Sequence, residues 1–445
     1  MNYQKKLHHL IPGGAHTYSR GDDQYPDNAP AILAKGKDCY VWDVEKRKYL
    51  DYGMGLRAVS IGYGYKPIVD AALYEMKNGN ALARPSTIEL EAAECLTKLI
   101  PGAEMVKFAK NGSNVTTAAI KLARAYTKKK YIAVCSDHPF FSFDNWFIGS
   151  TVVNRGITQE EKKLTIKFDY NDISSLKKLY KKYGDDIAAV IMEPATNVAP
   201  IRDCIECTHS RKCNCSNTFL HQVRQLCDIH KSVFILDEMI TGFRWHLNGA
   251  QKFYNVQADL VTFGKAMANG FSVACLSGKR EIMDLGGILD EGAERVFLLS
   301  TTHGAEMCSL GAFVKTVQVY NEYDVIGHLW DYGKKLINGI NSISESLGLL
   351  DYFYAQGYAC SPVYITKDQD QKISMEFRTL FSQEMVSNGV LMPWIALSYS
   401  HDKKELEITL SAIKKSLKIY KKAIDKGYNN YLNSSTIKPV FRKYN

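Results

Sequence analysis

Through the middle of the chain, short apolar runs alternate with stretches whose apolar residues recur at helical spacing. The runs at Met105–Ala109, Tyr131–Cys135, 188–192, 232–236 and Leu260–Phe263 are bounded by turn or polar residues and predict strands. Between them, Val115, Ala118, Ala119, Leu122 and Tyr126 fall on one helical face, and a similar pattern covers 219–230. Such alternation predicts an α/β domain with a mainly parallel sheet, whose ligands bind at the carboxyl ends of the strands. The last third differs. Helical patterns over 312–347, 375–388 and 403–427 predict a smaller α+β domain, and the residues after Gly427 lack periodicity. The expected organisation is an N-terminal segment 1–60 joining the small domain, a large domain 61–311 and a C-terminal domain 312–445. There is no internal repeat and no low-complexity linker.

Composition narrows the class. Of 445 residues, 46% are hydrophobic and 23% charged, the balance of an ordinary globular protein. The net charge of +9 (56 − 47) is spread without a run of five like charges, which favours anionic small molecules over nucleic acid. The N-terminus MNYQKKLHHL lacks an apolar core and no stretch reaches 18 apolar residues, so neither a signal peptide nor a membrane span is expected. Eleven cysteines, an odd number, point to a reducing, cytoplasmic setting.

Three features sit where an α/β sheet would place a site. Lys110-Asn111-Gly112-Ser113-Asn114 follows a strand and opens a helix, which suits either a phosphate cradle or a plain N-cap. Asp237 ends a hydrophobic strand, where a carboxylate needs a cation such as a protonated ring nitrogen; an N-cap or a structural ion pair with Arg244 is the alternative. Lys265 follows the next strand and Gly264; it is either an amine nucleophile in a pocket or a solvated surface lysine. Taken together, a phosphate site, a buried aspartate and a strand-end lysine meet the needs of pyridoxal 5′-phosphate.

With these residues the sequence resembles the fold-type-I, class III aminotransferases, and among them the branch like glutamate-1-semialdehyde 2,1-aminomutase. The resemblance runs from Ile11-Pro12-Gly13-Gly14 and Thr17-Tyr18-Ser19-Arg20 through Asn111-Gly112-Ser113, Met192-Glu193-Pro194, Asp237 to Arg244 and Phe263-Gly264-Lys265. It reaches Ser300-Thr301-Thr302-His303-Gly304 and Gly389 to Trp394. It implies fold type I, with a seven-stranded, mainly parallel sheet in the large domain. It implies Lys265 as the Schiff-base lysine and proton carrier, and Asp237 as the partner of the pyridine nitrogen. Asn111, Gly112 and Ser113 would bind cofactor at the phosphate end. Thr301, or Thr302 under a one-residue slip, would reach the phosphate in the neighbouring subunit, which implies a homodimer with shared sites. Phe140 stands in for the family's stacking aromatic, although the usual Tyr-His-Gly motif is replaced by Phe140-Phe141-Ser142. Asn114 sits where the family more often has an acid. Arg20 would grip a substrate carboxylate, and Glu193 and Asn197 would line the pocket; a structural role is the alternative for each.

The segment 203–216 carries Cys204, Cys207, Cys213 and Cys215 as C-x2-C-x5-C-x-C, in what looks like an insertion at the active-site end of the sheet. Four thiolates so close suit one structural zinc; an iron–sulfur cluster or a metal-free loop are the alternatives. The functional expectation is a transaminase that takes an amino group from an amino acid, L-glutamate first among candidates, to an aldehyde or keto acceptor. An aminomutase is the second reading. A non-catalytic metal-binding protein on the same fold is the third, and intact Asp237 and Lys265 weigh against it.

Overall fold

The computed structural model describes residues 3–138, 140–195, 198–201 and 217–445. Two compact units emerge: residues 1–65 with 327–445, and residues 66–326.

In the first unit, β1 (Leu33–Lys37), β2 (Tyr40–Asp43) and β3 (Lys48–Asp51) form an antiparallel meander. The second unit holds β4 (Met105–Ala109), β5 (Tyr131–Cys135), β6 (Thr165–Phe168), β7 (Ile187–Met192), β8 (Val233–Asp237), β9 (Leu260–Phe263) and β10 (Ala274–Gly278). They make one seven-stranded sheet in the order β4-β10-β9-β8-β7-β5-β6. Strands β9, β8, β7, β5 and β6 run parallel, and β10 is antiparallel to both of its neighbours. The chain is therefore α/β with a mostly parallel sheet. Strands β7 and β8 are buried at every position, which is why they read as unbroken apolar runs.

Helix Gly112–Thr127 starts where the Asn111 side chain accepts from the Asn114 amide at 3.1 Å, and it ends on Lys128 in a left-handed conformation. Its inner face carries Val115, Ala118, Ala119 and Leu122 of the expected stripe, whereas Tyr126, in the last turn, is exposed. Helix Phe219–Ile229 buries Phe219, Leu220, Val223 and Cys227.

The single helical pattern read over 312–347 is two helices, Met307–Tyr323 and Val325–Ser346. They meet at Asp324, whose φ of 42° ends the first. Met307–Tyr323 packs against Lys66–Lys77 and Thr87–Leu99 and so belongs with the large sheet. The two compact units divide at 65/66 and at 326/327.

The C-terminal part of the first unit contributes β11 (Phe353–Tyr358) and β12 (Ser361–Thr366) as a hairpin, and β13 (Val390–Leu391) parallel to β3. Rings of Phe353, Tyr364, Phe377, Phe381 and Tyr420 pack together in its core. The segment after Gly427 is tied down: the Asn433 amide donates to Gln383, and Ile437 is buried.

Candidate active site

Three segments at one end of the large sheet come together through Met239. Asp237 is the last residue of β8 and is 1% exposed. The Met239 amide donates to its Oδ1 at 3.0 Å, and the Thr262 hydroxyl from β9 donates to the same oxygen at 3.1 Å. Both of these bonds fall on Oδ1. Burial pushes the Asp237 carboxyl up to about 6, against the pull of the Met239 amide, the nearby Lys265 charge and the Thr262 hydroxyl. A carboxylate in that position gains from any cation brought against it.

Lys265 begins a 3-10 turn directly after β9 and Gly264, with a left-handed φ of 45°. A non-glycine residue in that region carries strain of about 1–3 kcal/mol, which persists only where the surroundings impose it. Its charge acts on the Asp237 carboxyl and favours the ionised form. The Met239 side chain fills the ground between the turns. A Cβ on Gly264 would lie 2.6 Å from its Sδ, and one on Gly112 would lie 3.0 Å from it. A side chain at Gly264 would force Met239 to shift, and one at Gly112 would press on it more lightly.

At the helix start, Ser113 is buried and its Oγ accepts from the Phe143 amide at 3.0 Å. That bond uses an acceptor lone pair and leaves the hydroxyl proton free for an anion, beside the amides of the first helical turn. The loop 140–146 is fastened to the same helix. Thr116 donates to the Phe141 carbonyl at 3.0 Å, and Trp146 donates to Thr117 at 2.8 Å. Phe141 is buried. Phe140 is 45% exposed and packs at a near-right angle to Phe147.

Glu193 is buried beyond the end of β7, one strand from Asp237. Its amide donates to Nδ1 of His138 at 2.9 Å, which puts the imidazole proton on Nε2. Burial depresses the His138 pKa to about 3, so the ring stays neutral. Among the described residues its Nε2–H has no hydrogen-bond acceptor, and the ring lies among those of Phe141 and Tyr170. Glu238, fully buried, accepts from the amides of Ala250 and Gln251 and so anchors the segment after the aspartate turn; burial raises its carboxyl to about 7. Arg244 donates to the Ile240 carbonyl at 2.9 Å. Met239, Thr262, Glu238 and His138 were not singled out by sequence. Met239 and Glu238 are legible only as neighbours of Asp237, and Thr262 through strand register.

Thr301 and Thr302 are exposed on the turn before helix Met307–Tyr323. Arg20 is exposed at the end of the turn Tyr18–Arg20 in the first unit. Asn197, Cys204, Cys207, Cys213 and Cys215 lie outside the described residues. Among the described residues no cluster of His, Cys, Asp and Glu is arranged to hold a metal.

A strand-end lysine, a buried carboxylate and a helix start with free donors form a donor set that fits pyridoxal 5′-phosphate. The fold agrees. The structure of the PLP internal aldimine form of FumI from Sphingopyxis sp. MTA144 superposes with a TM-score of 0.82 at 23% identity, covering 96% of this chain and 97% of that one. A glutamate-1-semialdehyde aminomutase from Pseudomonas aeruginosa PAO1 gives 0.77 at 17% identity, covering 94% and 93%. This is the fold-type-I architecture of PLP-dependent transaminases. The chain belongs to the class III aminotransferase family, whose model matches residues 22–393.

Among curated relatives, the chain is 30% identical over 430 residues to 3-aminobutyryl-CoA aminotransferase of Cloacimonas acidaminovorans (strain Evry), covering 95% of this chain and 98% of that protein. It is 28% identical over 402 residues to glutamate-1-semialdehyde 2,1-aminomutase of Sulfurihydrogenibium sp. (strain YO3AOP1), covering 86% and 90%.

Proposed function

We propose that this chain transfers an amino group from an amino-acid donor, L-glutamate first among candidates, to an aldehyde or keto small molecule. The observation that carries the reading is Asp237, buried at a strand end with the Met239 and Thr262 bonds on one oxygen, and Lys265 on the turn that follows the next strand, its charge acting on that carboxyl. Pyridoxal 5′-phosphate, when bound, supplies a carbonyl that condenses with amines and a ring that takes up the electron pair released at the substrate carbon. Lys265 holds the cofactor covalently and then moves the proton at the substrate carbon. Asp237 would keep the ring nitrogen of the bound cofactor protonated. Gly112 and Ser113, with the capped turn at Asn111, bind the phosphate, and Phe140 covers a ring face. Arg20, Glu193 and Asn197 are assigned to the substrate.

The working unit is a homodimer in which Thr301, or Thr302, serves the phosphate of the neighbouring subunit. The seven described cysteines are all free thiols, in keeping with a reducing cytoplasm. No helix among the described residues is long and apolar enough to cross a membrane. Cys204, Cys207, Cys213 and Cys215 are proposed to hold a structural zinc on their sequence spacing alone. Metal analysis of the purified protein finding about one zinc per chain supports that; zinc- and iron-free protein with four reactive thiols removes it.

The alternative is an aminomutase, favoured by the similarity to enzymes of that name. Incubation with L-glutamate and no acceptor separates the two. A transaminase releases about one equivalent of 2-oxoglutarate per subunit and stops. A mutase releases none, and no keto acid from any of a panel of amino donors would remove the transaminase reading.

A further inference from the structure

The phosphate-binding turn and the turn that bears Thr301 are joined by an ion pair. Lys110 directly precedes the capping residue Asn111, and its Nζ is bonded to the Glu306 carboxylate. Both side chains are only 23% exposed, so the pair is less screened than one on the open surface. Glu306 is the residue before helix Met307–Tyr323, yet its side chain makes no capping bond there; the carboxylate is turned to Lys110 instead.

The surroundings hold both partners in place. The Lys110 carbonyl accepts from the Ser272 hydroxyl at 2.9 Å. The Thr301 turn is closed by the Gly304 amide donating to the Thr301 carbonyl at 3.1 Å. It also lies on β4 just ahead of Lys110: a Cβ on Gly304 would come within 3.5 Å of the Phe108 carbonyl and 2.4 Å of the Thr301 hydroxyl. His303 is the other ionisable group at the carboxylate, with Nδ1 3.5 Å from Glu306 Oε1.

We propose that the Lys110–Glu306 pair is a positioning device that locks the Thr301 turn to the phosphate-binding turn. Each subunit's own phosphate site then sets the geometry with which its Thr301 serves the neighbour. This rests on the reading above, in which Thr301 reaches the phosphate across the dimer. Lys110 and Glu306 act through Asn111 and Thr301 and are not themselves placed on the cofactor.

The test is an equilibrium titration of apoprotein with pyridoxal 5′-phosphate, followed by absorbance, with apoprotein melting and dimer mass as controls. Lys110→Met and Glu306→Gln are each expected to weaken binding roughly tenfold, in the same direction, since either change releases the pair. The exchanged pair Lys110→Glu with Glu306→Lys is expected to recover most of that loss. Thr301→Ala is expected to weaken binding about tenfold in the otherwise unchanged protein, and less than about twofold once Glu306→Gln is present.

Tighter binding in Glu306→Gln would overturn the proposal, because Lys110 would then be a direct phosphate ligand that Glu306 restrains. An equal Thr301→Ala effect in both backgrounds would also overturn it, leaving the shared-phosphate role of Thr301 standing. A Thr301→Ala change that is silent in both backgrounds, with the cofactor still bound, would remove that role and the proposal together. If Lys110→Met gives no folded protein, Glu306→Gln and the exchanged pair decide the matter.

Discussion

Thr262 and Asp237 are cross-strand partners in β9 and β8, and the Thr262 hydroxyl donates to Asp237 Oδ1 at 3.1 Å. Strand register alone thus brings to the aspartate a donor from the strand that leads into Lys265. Thr262→Val keeps the shape and removes the hydroxyl. It should weaken binding of pyridoxal 5′-phosphate to apoprotein by about tenfold, near 1.4 kcal/mol, while the fold is retained. Equilibrium titration with the cofactor measures this. Unchanged affinity would mean that the Met239 amide alone orients the carboxylate.

The two buried carboxyls make the apoprotein sensitive to alkali. Burial raises Asp237 to about 6 and Glu238 to about 7. In the unfolded chain both titrate near 4, so between these values the folded state holds more protons. The stability they contribute is complete below about pH 4 and is lost as pH rises through 6 and 7. Apoprotein melting temperature should therefore fall between about pH 4 and pH 7, and the fall should be shallower in Asp237→Asn. Bound cofactor should flatten it too, because a ring cation then faces the ionised carboxylate. Calorimetry across that range is the measurement. Parallel profiles for apoprotein and Asp237→Asn would show that Asp237 is not a source of the slope.

Met239 fills the contact between the phosphate turn and the lysine turn. Gly264 has φ −175°, extended backbone open to any residue, so its need for glycine is steric. Gly264→Ala would press Cβ to 2.6 Å from Met239 Sδ. The expected cost is about 1–3 kcal/mol in the apoprotein, with weaker cofactor binding. Adding Met239→Ala should restore part of both by opening the space. Thermal melts and cofactor titrations of the two single variants and the double variant report this coupling, and additive losses would refute it.

Much of the sheet was legible because its strands are short apolar runs between turn residues. Strands β4, β5 and β9 begin and end where the runs do. Strand β8 is displaced by one residue at each end: Ser232 lies outside, and Asp237 is drawn in by pairing with Thr262. Strands β6 and β10 were not foreseen. β6 is four residues long with an exposed lysine at 167, and β10 is built partly of small residues whose apolar surroundings come from β4 and β9. The break at Asp324 left no trace because neither Gly nor Pro marks it.

Asp237 and Lys265 could be read from their places after strands. The wedge of Met239 between two glycines and the bond from Glu193 to His138 could not, since each depends on contacts between segments far apart in sequence. Substrate residues are the least legible. Arg20 and Glu193 carry general chemistry that fixes no one substrate.

The most direct measurement is the visible absorption spectrum of the purified protein and of Lys265→Ala, each loaded with pyridoxal 5′-phosphate, before and after L-glutamate. The account predicts a band from lysine-linked cofactor in the unchanged protein that converts to the pyridoxamine form when glutamate is added. Lys265→Ala should lack the lysine-linked band and lose the conversion rate by roughly a thousandfold or more, about 4 kcal/mol. No band in the unchanged protein after incubation with the cofactor, or an identical spectrum and conversion rate in Lys265→Ala, would contradict it.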